Sequence, residues 1–408
     1  MPERDWLSTA AEHFSTQSLC IDHLEAVLLR APIAIPVKTS FGTMHDRPSL
    51  LVRLTERSGC VGYGEIWCNF PSGGADYKAS LLVNEISSWL LGRQFSSPMA
   101  VFDGLTAAFS TLGLQTADEG AIAQTIAGID QAVWDITARL AGMPLWRLFG
   151  GARAAVPAYA SGIHPAQAET LAGHALSLGF DALKVKVGFD AATDQAGVRT
   201  AHKQLGKDQR MMIDANQAWP DPATAAENLR HLDDLSLTWI EEAMPANAAI
   251  TDWQQLKELT TVPLAGGENL PRLDLVGHYQ QACLFDYIQP DIGKLGGFTG
   301  LLRCLERPAA GTPVYCPHWL GGAVGLAASA QILAIIGGAG MLEVDINTNP
   351  LRDAMASWKA LPSASGMISL PEAHGIGITP DLPGLKDIGV KIRIEQASRT
   401  GNEGGQIR

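Results

Sequence analysis

Four short runs, ALKVKVG at 182–188, RMMIDAN at 210–216, LTWIEE at 237–242 and VPLAGGE at 262–268, decide the fold. Each is apolar, too short for a helix, and carries a charged residue at or near its C-terminal end: Lys186, Asp214, Glu241 and Glu268. Working outward, VPAYAS ends at Ser161, FDYIQPD at Asp291 and TPVYCPH at His318, while MLEVDIN carries Glu343. The eight marked positions are separated by 25, 28, 27, 27, 23, 27 and 25 residues. Each step accommodates one strand, one loop, one helix and one return loop. Connecting segments such as DPATAAENLRHLDDL and ITDWQQLKELT carry Asp or Thr near their starts and helical apolar spacing. Eight such units predict a (β/α)8-type barrel of parallel strands buried on both faces, with its working end at the C-terminal ends of the strands.

Before about residue 150 the pattern differs. LCIDHLEAVLLR and SLLVRLTERSG read as strands, and GCVGYGEIW as a third strand or turn. Residues 76–112 and 118–148 read as helical. This predicts an α+β capping domain over 1–150, placed before a catalytic barrel over 151–364. A Pro/Gly-rich tail, ISLPEAHGIGITPDLPG, leads to a strand-like KIRI. Residues 365–408 are therefore expected to return to the capping domain.

Of the 408 residues, 46% are hydrophobic and 18% charged, enough for a large core and against wholesale disorder. Thirty basic against 42 acidic residues give a formal charge of −12. That surface argues against nucleic acid and anionic membrane as partners, but not against a small anion in a locally cationic pocket. Six cysteines, none in a CxxC pair, indicate neither a zinc knuckle nor a disulfide framework. The N-terminus lacks the basic and apolar regions of a signal peptide, so a cytoplasmic location is expected. Residues 319–342 carry no charge and have the length of a membrane span. Their glycines, Ser329, Gln331 and place in the repeat instead predict the helix after strand seven and then strand eight.

Asp214, Glu241 and Glu268 end three successive strands. Neighbouring strands lie about 4.8 Å apart, so three anions converge and require a cation. All-oxygen ligation favours a hard divalent ion, Mg²⁺ first. The alternative is pairing with helix lysines. Asn216 points to the same side as Asp214 and is a candidate to orient it. Lys184 and Lys186 alternate by two and face the barrel interior. Beside a divalent ion they are expected to have depressed pKa values and to serve as bases; the bland reading is charge neutralisation. Asp291 and His318 end strands six and seven as an orienter and a base, the alternative being a satisfied core histidine. Two bases would thus flank one carbon whose carboxylate sits on a cation. That suits abstraction of a proton α to a carboxylate, with Lys184, the cation and an acid at Glu343 stabilising the enolate.

These residues resemble the mandelate racemase branch of the mandelate racemase/muconate lactonizing enzyme family in the enolase superfamily, over roughly residues 19–395. LKVKVG, MMIDANQAW, WIEEAMP, AGGENL, QPDIGKLGG and CPHW carry the resemblance, with AGIDQAVWDITARLAGMPLWRLFGG leading into the barrel. Lys or His bases paired with Mg²⁺ are an established pattern in that superfamily. The resemblance implies Asp214, Glu241 and Glu268 as Mg²⁺ ligands and Lys186 as one base. It implies Lys184 as a holder of the substrate carboxylate, and His318 with Asp291 as second base or general acid. Glu343 matches the late acid that hydrogen-bonds the enolate. Muconate-lactonizing and dipeptide-epimerase relatives place a lysine where Asp291 stands, which puts this chain on the racemase side. WIEEAMP departs from the usual proline directly after the two glutamates, which leaves the loop after strand four in question. Two N-terminal loops choose the substrate in such enzymes. Here they correspond to 33–46 and 66–75, with Lys38, His45 and Asn69 as polar candidates. The resemblance also implies a homo-oligomer, dimer to octamer.

The sequence thus points to a Mg²⁺-dependent dehydratase of a sugar acid or 2-hydroxy acid, acting on a small-molecule carboxylate. The alternative is a racemase or epimerase using Lys186 and His318 on opposite faces. A third is a barrel that binds a metal-held carboxylate without turnover, which Lys186→Ala would distinguish. Nucleotide-binding and hydrolase motifs are absent: GxGxxG, GxxxxGK[ST], HExxH and GxSxG do not occur.

Overall fold

The computed structural model describes residues 6–13, 18–40, 42–151, 153–206, 209–305, 311–363 and 365–398. The strands β1 (Leu19–Lys38), β2 (Thr43–Glu56), β3 (Val61–Ile66) and β4 (Gln94–Phe95) precede the barrel. The barrel strands are β5 (Ala155–Ile163), β6 (Ala182–Lys186), β7 (Arg210–Asp214), β8 (Leu237–Glu241), β9 (Leu264–Gly266), β10 (Tyr287–Ile288), β11 (Val314–Tyr315) and β12 (Leu342–Asp345). Then come β13 (Met367–Ser369) and β14 (Lys391–Ser398). β14 lies antiparallel on β1, giving a sheet ordered β14-β1-β2-β3 with β4 on the side of β1. The end of the predicted tail, from residue 399, falls outside the described residues.

The eight barrel strands run parallel in the order β11-β10-β9-β8-β7-β6-β5-β12. Between β11 and β12 the curl is bridged by the Met341 amide, which donates to Cys316 Sγ at 3.4 Å. The uncharged 319–342 segment is the buried helix Ala323–Ile336 followed by the start of β12. No described helix is long and apolar enough to cross a membrane.

Two expectations for the capping domain change. The stretch expected as a loop at 33–46 is mostly strand: β1 and β2 extend into a hairpin, pairing Val37 with Met44 and Lys38 with Thr43. The alternating apolar run IAIPV supports such an extension. The helix expected over 76–112 is broken. Its first part ends at Leu90, Gly92 takes a φ of 75°, and a new helix, Pro98–Thr116, starts behind a Ser97 side-chain cap.

The helix Glu119–Leu140 joins the two halves. The glycines of VGYGE let it approach β3, because a Cβ at Gly62 or Gly64 would collide with the carbonyls of Ala132 and Gly128. Its other side meets the barrel: Asp130 accepts from the Thr299 amide at 2.9 Å and from the Thr299 hydroxyl at 2.5 Å.

Candidate active site

In register across adjacent strands, Lys186 lies beside Asp214, and Asp214 beside Glu241. Glu268 follows β9 after Gly267, whose φ of 124° turns the chain into the mouth. Asp214, Glu241 and Asp291 are wholly buried, and Glu268, His318 and Glu343 nearly so. The carboxylates expected to converge do so, and each is held by a cation of the chain. Lys186 Nζ donates to Asp214 Oδ2 at 2.6 Å. Lys184 Nζ donates to both oxygens of Glu241 at 2.6 Å and stands 2.8 Å from Glu343. His318 Nε2 sits 2.7 Å from Glu268, and its Nδ1 2.6 Å from Asp291. The Gly293 amide donates to the other Asp291 oxygen at 2.7 Å, fixing the carboxylate that orients the imidazole.

The chain's own charges set the electrostatics of the mouth. Burial lowers the Lys186 pKa, but contact with Asp214 outweighs it and the net direction is upward. Lys184 is likewise lowered by burial and raised well above the ordinary value by Glu241 and Glu343. The sign follows from which group holds the carboxylates: while lysine ammonium groups neutralise them, the protons stay on the lysines. Burial raises Glu343, yet Lys184, His318 and Lys186 bring it down to about 2. It also accepts a hydrogen bond from Ser161. Burial lowers His318, while Glu268, Glu343 and the hydrogen bond to Asp291 lift it to about 10, an imidazolium at neutral pH.

The loop candidates are placed unequally. The Asn216 amide donates to Asp214 Oδ1 at 2.8 Å, and its side chain reaches Oδ2 at 3.3 Å. Asn69 is buried and donates to the Leu320 carbonyl at 2.5 Å, in the turn that follows His318. His45 is exposed on β2, and Lys38 is exposed at the end of β1. At the hairpin tip between them, Ser40 reaches the carbonyls of Ala215 and Asn216 at 3.4 and 3.2 Å.

Several contributors escaped the sequence reading. Gln289 donates to Glu241 at 2.6 Å, and Lys294 lies 3.5 Å from Glu268 and 2.8 Å from Asn269 Oδ1. Gln289 precedes Asp291 by two, the same alternation that pointed out the two lysines. Asn216, Gln217 and Glu242 all have positive φ, between 42° and 65°. Such strain in non-glycine residues concentrates at working sites.

Residues 167–384 match the model of an enolase C-terminal domain-like unit, and residues 23–150 that of the mandelate racemase/muconate lactonizing enzyme N-terminal domain. The chain belongs to the mandelate racemase/muconate lactonizing enzyme family. It is an enzyme of the enolase superfamily. It is similar to the crystal structure of a mandelate racemase/muconate lactonizing enzyme from Bordetella bronchiseptica RB50, with a TM-score of 0.84, 37% identity and coverage of 91% of this chain and 100% of the other. A Streptomyces coelicolor A3(2) racemase with bound magnesium gives a TM-score of 0.80 at 25% identity, covering 90% and 99%. The L-talarate/galactarate dehydratase of Salmonella typhimurium is 29% identical over 314 residues, 73% of this chain and 76% of that protein. Curated relatives also include a sugar-acid cycloisomerase and an epimerase.

The donor atoms at the mouth are of the kind that magnesium, the ion bound in the Streptomyces coelicolor racemase, takes. Among the described residues no group of three or more His, Cys, Asp or Glu side chains is arranged to close on an ion. The donor chemistry is nevertheless that of a hard cation site, with three buried carboxylates at strand ends. Beside two of them, Asn216 Oδ1 and Gln289 Oε1 are buried acceptors without a hydrogen-bond partner.

Proposed function

We propose that the enzyme removes the proton α to a carboxylate in a magnesium-dependent reaction, dehydrating a sugar acid or 2-hydroxy acid to a 2-keto acid. The observation that carries this reading is the placement of Lys186 and the Asp291–His318 pair on either side of three buried carboxylates. Asp214, Glu241 and Glu268 would hold the Mg²⁺. Bound there, the ion supplies Lewis acidity toward the substrate carboxylate. Lys186, released from Asp214 and having given up its own proton, would take the α-proton from one side. His318, protonated and aimed by Asp291, gives its proton to the departing 3-hydroxyl from the other. The C–H and C–O bonds break, water leaves, and the enol tautomerises to the ketone. Lys184, at the floor of the site, balances the charge of Glu241 and Glu343.

The same opposed pair supports a second reading. If the substrate has no β-leaving group, a proton removed at Lys186 returns from His318 and the centre is inverted. Proton NMR in D2O separates the two, with Mg²⁺ and pooled acid sugars, aldaric acids, 2-hydroxy acids and amino acids. Loss of the α-proton with a 2-keto product is expected. Exchange with inversion alone would select the racemase. No exchange in any pool would contradict both.

A further inference from the structure

Both turns that aim the Asp291–His318 pair are tied to the capping domain around Glu65. Glu65, buried near the end of β3, sends its side chain across the seam. Its Oε1 accepts from the Gly322 amide and from the Ser49 hydroxyl, both at 2.7 Å, and its Oε2 from the Gly325 amide at 2.9 Å. Gly322 is the N-cap of helix Ala323–Ile336 and lies four residues after His318. Lacking a side chain, it cannot cap the helix itself, so a carboxylate from the other domain takes the first-turn donors, where the helix dipole favours an anion. A side chain at position 322 would meet the Glu65 carboxylate, and one at 325 the Trp319 indole. The Trp319 indole N–H donates to the Gly322 carbonyl at 3.0 Å, and the Trp319 amide to Glu343 at 3.3 Å.

The backbone of Glu65 is held by Gln131. Gln131 Oε1 accepts from the Glu65 amide at 3.1 Å. Its Nε2 donates to the Glu65 carbonyl at 3.1 Å and to the Ile292 carbonyl, next to Asp291, at 3.2 Å. One carboxylate and one amide thus reach both turns, the one carrying the imidazole and the one carrying its orienting carboxylate.

We propose that Glu65 and Gln131 are positioning residues that set the aim of the Asp291–His318 pair. The inference rests on the reading of that pair as the acid–base group opposite Lys186. A buried carboxylate facing three neutral donors is an expensive way to fasten two domains, since apolar packing would do so without the desolvation penalty. Hydrogen bonds of fixed direction add the placement of backbone atoms, and misplacement by about 1 Å costs on the order of 10²-fold in rate.

The test uses the full chain and two substitutions. Glu65→Gln keeps the shape but turns an amide toward a backbone N–H. Gln131→Met keeps the length without polar atoms. The first readout needs no substrate: the low-field proton resonance of the His318 Nδ1 hydrogen bond in water, assigned by its loss in His318→Asn. The second is α-proton exchange in D2O with the acids found to react. In both variants the resonance is expected to shift or broaden. The step that needs the His318 proton, loss of the 3-hydroxyl or, in a racemase, exchange on its face, should fall about tenfold or more in kcat while α-proton exchange through Lys186 stays within about twofold. An unchanged resonance in the folded variants would overturn the proposal. So would equal loss of the His318 step and of α-proton exchange through Lys186, which marks a purely structural role. If Glu65→Gln does not fold, Gln131→Met decides by the same readouts. If no acid reacts, the resonance still decides the positioning role, whereas the failure to react counts against the proposed reaction.

Discussion

At the seam between the two domains, buried carboxylates meet mainly neutral donors; at the barrel mouth they meet cations. Asp130 is satisfied by the Thr299 amide and hydroxyl, and Asp135 by the Tyr63 and Ile376 amides at 2.9 and 2.6 Å, with Arg139 at 2.9 Å. Burial dominates there and pushes Asp130 up to about 7 and Asp135 up to about 6. At the mouth, Lys184, Lys186 and His318 overturn the same penalty for Glu343, and His318 and Lys294 for Glu268, whose pKa falls well below the ordinary value, while burial still pushes Glu241 up to about 7. A carboxylate fixed by backbone amides has nowhere to turn and serves the architecture. One held by long cationic side chains can change partners, which a metal site and a proton-transfer site both require.

The largest effect that would break this contrast is catalytic. Lys186→Ala should lower turnover by about 10³-fold, while the unfolding midpoint in Mg²⁺ barely moves; steady-state rates and thermal melts check both. The seam should behave in reverse. Asp130→Ala leaves the Thr299 donors unpaired and should cost about 1–3 kcal/mol of stability in urea titrations, with turnover per folded molecule unchanged.

Smaller effects appear against pH. The native pKa of Asp130 lies above its unfolded value of 3.8, so its contribution is full below 3.8 and lost as pH rises through about 7. Asp130→Asn should flatten that limb of the stability curve. At the mouth, the contribution of His318 is full below 6.5 and lost as pH rises through about 10. That of Glu343 is full above 4.5 and lost as pH falls through about 2. His318→Asn should therefore remove the alkaline limb alone, measured by denaturation between neutral pH and pH 10.

The mouth was the more legible region, for a physical reason. Parallel strands buried on both faces leave few places for charge, so Lys186, Asp214, Glu241, Asp291 and His318 stand out against apolar runs at a steady spacing. Which cation holds which carboxylate was not legible, because Lys184 and Glu343 meet across 159 residues of sequence separation, a difference of 343 and 184. The direction of the lysine shifts and the ionised state of Glu343 depend on those partners. In the capping domain, the extended hairpin and the break at 91–97 depend on β1–β2 pairing and a Ser97 cap, signals local propensity carries weakly. Glu65 gave no sign of its part, since its donors come from a helix start about 260 residues later in the chain.

Calorimetric titration of Mg²⁺ tests the contrast most directly, on the unmodified chain, Asp214→Asn and Asp130→Asn. One ion should bind to the unmodified chain and to Asp130→Asn with similar affinity, and none to Asp214→Asn under the same conditions. Equal binding to Asp214→Asn, or loss of binding in Asp130→Asn, would contradict the division of labour between mouth and seam.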